Sequence, residues 1–304
     1  MRIVVVGAGV IGSIYGARLA GAGHDVTLLA RGQRLTDLRA HGLILEDASS
    51  GQRTEVSLPV LTELSRSEGC DLALVPVRSE QVASTLPMLR GMDDRPDVLF
   101  FGNTVEHQSE LVAALGGRAL FGFPAAGGVR DGATVRYVLI RQQKTMLGEA
   151  GAAATDRVRR LQRMFSEAGF PAKVSANISG WMLGHTAFVV PIGFALYRFD
   201  TDPAALAASE STLRLMVRAT REAFDALGDA EIPANLRWLY LRMPTAFAVR
   251  YWRRILASPR GELWFGAHSR AAPEEMHALA RELHAALDRA GRPTPNVDAL
   301  MGTR

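Results

Sequence analysis

The first twelve residues, MRIVVVGAGVIG, decide how the N-terminal half of this chain is read. Arg2 to Val6 is a β-branched run that predicts a buried strand. It runs directly into Gly7-Ala8-Gly9-Val10-Ile11-Gly12, after which Gly9 to Gly21 reads as a helix of small residues. In a strand–glycine–helix unit the first glycine permits the tight turn. The second lets backbone approach a diphosphate, and the third lets helix and strand pack closely. The unpaired N–H groups and positive dipole end of the helix then face the anion. A second strand, Asp25 to Ala30, follows in register, so Gly7, Ala8, Gly9, Val10, Ile11 and Gly12 are expected to hold a dinucleotide. NAD sites usually carry Asp or Glu at the end of that second strand, where it accepts bonds from the ribose hydroxyls. This chain reads Leu29-Ala30-Arg31-Gly32-Gln33-Arg34 instead. A guanidinium suits a phosphate, so NADP(H) is the expected cofactor, with Arg31 at the 2′-phosphate and Arg34 a further candidate. An exposed Arg31 with no ligand is the alternative.

Outward from this motif, strand and helix signals alternate. Asp71–Val77 and Asp97–Phe101 read as strands, and Ser79–Leu89 and Gln108–Leu115 as helices. Leu43–Leu45 and Thr54–Leu58 suggest a small antiparallel excursion. Val135–Ile140 and Lys144–Leu147 read as short strands around an Arg-Gln-Gln turn that closes the domain. Beyond Lys173 the strand signals stop, and Ile178–Tyr197, Ala204–Leu227, Asn235–Leu256 and Pro273–Ala290 read as helices. The expected fold is α/β: a Rossmann-like doubly wound sheet over residues 1–172, then an all-helical domain over 173–304 for substrate binding or dimerisation.

The bulk numbers fit a soluble globular protein. The chain has 304 residues, 48% hydrophobic and 22% charged, with a net charge of +4. Its arginines are scattered among acids, which argues against nucleic-acid binding. Cys70 is the only cysteine, so an intrachain disulfide is excluded and a reducing, cytoplasmic setting is expected. The opening apolar run is short and breaks into glycines, unlike a signal peptide. The longest later run, Ala187 to Leu196, falls short of the roughly 20 residues that cross a bilayer, so no membrane partner is expected. No metal site is expected.

The chain resembles the ketopantoate reductase (2-dehydropantoate 2-reductase) family over nearly its whole length. The family's Val-Lys-x-x-Gln segment is similar to Val77-Arg78-Ser79-Glu80-Gln81, and its Gln-Asn-Gly segment to Gly102-Asn103-Thr104. Leu147-Gly148-Glu149 resembles the sheet-closing segment, and Glu275 lies 18 residues before the Pro293-Thr294-Pro295 turn, as the family's acidic residue does. The resemblance implies hydride transfer from NADPH to a 2-keto acid. It also implies cofactor contacts from Arg78 and Asn103, and roles for Asn103 and Glu275 in catalysis. In the family a helix lysine two residues after a tryptophan is the general acid, with asparagines four and eight residues later. Here Trp181 is followed at those places by Leu183, Ala187 and Pro191. A one-residue shift gives Met182, Thr186 and Val190 and restores one hydroxyl. Lys144 and Lys173, the only lysines, lie elsewhere.

His185 is the candidate replacement, because an imidazole with its ordinary pKa of about 6.5 suits proton donation at neutral pH. It lies about 200° around the helix from Leu183, and a structural histidine is the alternative reading. His268 and Ser269 are lesser candidates. Trp238, Tyr240, Tyr251, Trp252, Trp264 and Phe265 suit an apolar substrate pocket, a core or a homodimer interface. The partner expected is a small carbonyl compound. A reductase of a more apolar carbonyl or imine, or a catalytically silent NADP(H) sensor, are the alternatives.

Overall fold

The computed structural model describes residues 1–63, 69–104, 107–140, 143–151, 154–228 and 230–302, without the side chain of residue 268. The chain divides into two compact units, Met1–Ile178 and Ser179–Arg304.

The first unit contains β1 (Arg2–Val6), α1 (Val10–Gly21), β2 (Asp25–Leu29), α2 (Gly32–His41), β3 (Leu43–Asp47), β4 (Arg53–Val56) and β5 (Val60–Leu61). They are followed by β6 (Leu72–Val75), α3 (Ser79–Arg90), β7 (Asp97–Phe101), α4 (Gln108–Leu115), β8 (Ala119–Phe123) and β9 (Ala126–Asp131). Finally come β10 (Thr134–Leu139), β11 (Thr145–Gly148), α5 (Asp156–Glu167) and β12 (Ala172–Val174). The main sheet runs β12-β11-β8-β7-β6-β1-β2-β5 and is parallel except where β11 meets β8. Ile3, Val4, Val5 and Val6 are all buried, as a central parallel strand covered on both faces requires. The chain leaves β1 toward β2 and later returns to β6 on its other side. The connections therefore part at the carboxyl end of β1, where open α/β sheets bind ligands.

A second sheet, β4-β3-β10-β9, holds the expected antiparallel pair β3–β4. It also corrects one expectation. Val135–Ile140 and Lys144–Leu147 do not pair with each other: β10 pairs with β9 and β3, whereas β11 joins the main sheet beside β8. Residues 141 and 142 of the Arg-Gln-Gln turn lie outside the described residues. β10's antiparallel partner, β9, is hidden in the sequence by Gly127 and Gly128. A Cβ at Gly128 would sit 2.3 Å from the Arg136 carbonyl oxygen, so close backbone approach selects a residue that carries no strand signal.

Tyr15 fastens α1 to both neighbouring strand ends. Its fully buried hydroxyl lies 2.7 Å from Thr145 Oγ1 and accepts from the Ala125 N–H at 2.9 Å. Its ring stacks on Phe170 at 3.8 Å and meets Phe101 edge-on. Burial pushes the phenol far above its usual range, so it remains a neutral donor and acceptor. At the sheet's other end, Arg157 donates to both Glu149 carboxylate oxygens and to Asp97 Oδ1 at 3.0 Å. This ties α5 to β7 and to the residue after β11. The expected boundary at 172 moves to 178 because β12 pairs with β11 and the Ser175 N–H donates to the Leu147 carbonyl, so these residues complete the sheet.

The second unit is helical: α6 (Ile178–Tyr197), α7 (Pro203–Ala208), α8 (Glu210–Ala226), α9 (Ala234–Arg237), α10 (Thr245–Leu256), α11 (Pro259–Gly261), α12 (Ala267–Ala271), α13 (Pro273–Ala290) and α14 (Pro295–Met301). Wide π turns at Trp238–Arg242 and Glu262–Gly266 continue α9 and precede α12. Two expected helices are broken for local reasons. Ser209 ends α7 and caps α8 by accepting from the Thr212 N–H. Pro244 stops the stretch expected at Asn235–Leu256, because proline disfavours helical backbone in the residue before it. Helix α6 is long and apolar enough by composition to cross a bilayer, but Ala187, Val190, Ile192, Ala195 and Leu196 are buried in the helical core.

Tyr15→Phe is expected to lower stability by about 1–3 kcal/mol, because it strands the Ala125 N–H; chemical denaturation checks this. Burial would raise the Glu149 pKa, but bonds from Arg157 and Thr155 outweigh it and hold the carboxyl below the usual glutamate range. That contribution is complete above the unfolded-state pKa and is lost as pH falls through the lower folded value. Glu149→Gln should therefore cost about 2 kcal/mol near neutrality and flatten the acid limb of a stability–pH curve.

Candidate dinucleotide site

The site is built at the parting of the connections, from β1 outward. Gly7 has φ +115°, a value L side chains rarely adopt, and its N–H donates to the Leu29 carbonyl at 3.2 Å, tying the turn to β2. At Gly12 a Cβ would stand 2.0 Å from the Gly7 carbonyl oxygen, so only glycine lets α1 start this close to the strand. Gly9 is the opposite case: nothing lies within 4 Å of where its Cβ would be, leaving room for a ligand against the backbone. Gly9 caps α1, and the Ser13 N–H makes an early helical bond back to its carbonyl. The N–H groups of Val10, Ile11 and Gly12 precede that bond, and the first turn has no acid. The residues present thus fit a diphosphate.

A cleft of about 250 Å³ opens here. It is lined by Gly7, Ala8 and Gly9 of the loop, by Leu29, Ala30 and Arg31 at the end of β2, and by Val77, Gln81, Ser84 and Thr85. Arg31 is exposed at the N-terminal cap of α2. Arg34 also reaches the cleft, but its guanidinium is engaged. It donates to the Ala8 carbonyl (2.8 Å), to Ser13 Oγ (2.9 Å) and to the carbonyls of Gly132 (3.0 Å) and Ala133 (3.2 Å). Burial, and then neighbouring Arg130, lower its pKa to about 10, which leaves it charged at neutral pH. Arg34 therefore positions the glycine loop. Cleft-lining Arg130, on β9, is a residue the sequence reading missed; the Asp131-Gly132 turn was its one visible signal.

The remaining expected residues are dispersed. Arg78 is exposed at the cap of α3, between cleft residues Val77 and Gln81 but not itself lining the cleft. Asn103 is half-buried in the loop after β7, at the carboxyl edge of the same sheet. Gly102, beside it, donates its N–H to the Gly122 carbonyl at 3.0 Å.

In the helical unit His185 is half-buried and its ring stacks on Trp181 at 5.4 Å. Ala187 and Pro191 are buried, and half-buried Leu183 packs on the helical core, so the stripe after Trp181 is core surface. Thr186 spends its hydroxyl on the Met182 carbonyl. Glu275 is half-buried in the first turn of α13. That turn meets α6 where Met276 Sδ lies 2.8 Å from the Cβ position of Gly193. This is eight residues, or about 12 Å along the helix, past His185. Ser269 is buried, with its carbonyl accepting from Tyr197 Oη at 3.1 Å; the His268 side chain lies outside the described residues. Tyr240 and Trp252 are interior, whereas Trp238 and Tyr251 stay exposed.

Residues 3–152 match the family model described as ketopantoate reductase PanE/ApbA. The chain is 26% identical over 229 residues to the 2-dehydropantoate 2-reductase of Pyrococcus horikoshii, an alignment covering 73% of this chain and 72% of that protein. Among solved structures it resembles 2-dehydropantoate 2-reductase from Geobacter metallireducens, with TM-score 0.80 and 18% identity, covering 99% and 98% of the two chains. A D-mandelate dehydrogenase solved with NADH and anilino(oxo)acetate has TM-score 0.77 and 18% identity, covering 99% and 96%. These structural likenesses concern the fold. Residues 3–152 thus belong to the ketopantoate reductase PanE/ApbA family.

Proposed function

We propose that this protein is an NADP(H)-dependent reductase of a small 2-keto acid of the ketopantoate kind. The observation that carries the reading is one cleft in which the glycine loop and Arg31 meet, with no carboxylate lining it among the described residues. When bound, the cofactor supplies the hydride for the carbonyl carbon. The backbone of Gly7–Gly9 and the first turn of α1 hold the diphosphate. Arg31 takes the 2′-phosphate, a dianion that a guanidinium can bind through paired hydrogen bonds. Asn103 orients the cofactor or substrate through its amide. His185 is assigned the proton transfer to the developing alkoxide, in place of the lysine that the family carries on this helix. Glu275, whose turn meets α6 about 12 Å along the helix from His185, is assigned no part in that proton transfer.

A second reading keeps the hydride transfer but takes a more apolar carbonyl. It is favoured by Leu183, Ala187 and Pro191, which put no polar group where the family carries its lysine and asparagines.

Oxidation of NADPH and of NADH should be followed across a panel running from ketopantoate to bulky and aromatic 2-keto acids. Preference for NADPH and turnover of at least one 2-keto acid are expected. Arg31→Ala should weaken NADPH about tenfold to a hundredfold while sparing NADH. Turnover of the aromatic members alone would move the assignment to the second reading. Tight NADP binding with no turnover of any member would sink both and leave a binding protein. His185→Gln should lower kcat more than it raises KM; an unchanged kcat removes His185 from the proton transfer.

A further inference from the structure

The strongest unassigned feature is a further arginine, Arg130, lining the same cleft as Arg31. Three guanidinium groups reach that cleft: Arg31, Arg34 and Arg130. Arg34 is engaged with Ala8, Ser13 and the Gly132–Ala133 turn. Arg130 comes from the other sheet, near the tip of the β9–β10 hairpin, and is partly exposed. Its ties are weak: Nη1 is 3.4 Å from the Gly132 carbonyl and 4.0 Å from Asp37 Oδ2. Asp37, on α2, already accepts from Gln33 Nε2 at 2.8 Å. Arginines outnumber carboxylates among the residues that line this cleft, which suits a phosphate monoester dianion. The hairpin is also held in place, because the arginine that grips its turn grips the glycine loop as well. Arg130 is therefore presented to the cleft from a fixed support, and its long contact with Asp37 can be exchanged for a shorter one at little cost.

We propose that Arg130 is a specificity-determining ligand of the cofactor's 2′-phosphate, gripping it from the second sheet while Arg31 grips it from the end of β2. This rests on the NADP(H) reading above. Two cations on separate elements would discriminate a phosphate from a hydroxyl more sharply than one exposed arginine can.

The test is titration calorimetry of the full chain with 2′,5′-ADP and with ADP, which needs no substrate and no turnover. Wild type, Arg31→Gln, Arg130→Gln, Arg130→Lys and the double glutamine variant are compared. Expected is about a tenfold loss of 2′,5′-ADP affinity in Arg130→Gln, unchanged ADP affinity and partial recovery in Arg130→Lys. The double variant should bind the two nucleotides alike. If wild type prefers 2′,5′-ADP and Arg31→Gln removes that preference while Arg130→Gln keeps it, this inference falls and the NADP(H) reading stands. An equal loss of both nucleotides in Arg130→Gln would also overturn it, making Arg130 a support for the hairpin. If wild type binds both nucleotides equally, the NADP(H) reading fails first, and this inference with it.

Discussion

The contact between Gly12 and the Gly7 carbonyl sets the position of everything around it. With no side chain at Gly12, α1 starts close against the Gly7 carbonyl, where a Cβ would stand 2.0 Å from the oxygen. Because α1 begins there, its unpaired N–H groups open on the carboxyl edge of the sheet. Because Gly16 faces Leu28 at 3.1 Å from its Cβ position, the rest of the helix also lies close to the sheet. Tyr15 then falls between Thr145 and Ala125 and joins the first strand-helix turn to segments more than a hundred residues away. A methyl group at residue 12 would displace the anion site and the Tyr15 anchor together.

Arg34 extends the same constraint to the second sheet. A buried guanidinium requires several acceptors, and it finds them in the glycine loop, Ser13 and the hairpin turn. Its charge is thereby spent on architecture, and the other two arginines that line the cleft, Arg31 and Arg130, come from different elements.

How much of this was legible in the sequence differs by region. The β1–loop–α1–β2 unit could be read because its signals are local: a β-branched run, three spaced glycines and a missing acid at the end of the second strand. Helix α13 falls on its expected residues because its apolar periodicity survives any tertiary arrangement, and α6 because it is a long, largely apolar run. β9 was not legible, since the glycines that let it lie against β10 erase its strand signature. The separation of β10 from β11 was also hidden, because partner choice is settled by β3 and β8, far away in sequence. The site follows the same rule. The glycines and Arg31 announce themselves, whereas the role of Arg34 depends on a turn nearly a hundred residues downstream, and Arg130 lies on β9, whose glycines hide it. The helical half is less legible still. Leu183, Ala187 and Pro191 show what is missing from α6, but no spacing rule points to what replaces it.

The β9–β10 hairpin ends in a short Gly-containing turn, ordinarily a place where chains accept inserted residues without harm. Here the carbonyls of Gly132 and Ala133 are the acceptors on which a buried charge depends. Lengthening the turn would leave Arg34 short of partners and loosen its hold on Ala8. A peripheral loop of the small sheet is thus under a length restriction like that of the phosphate loop, and insertions there are expected to cost more than side-chain changes.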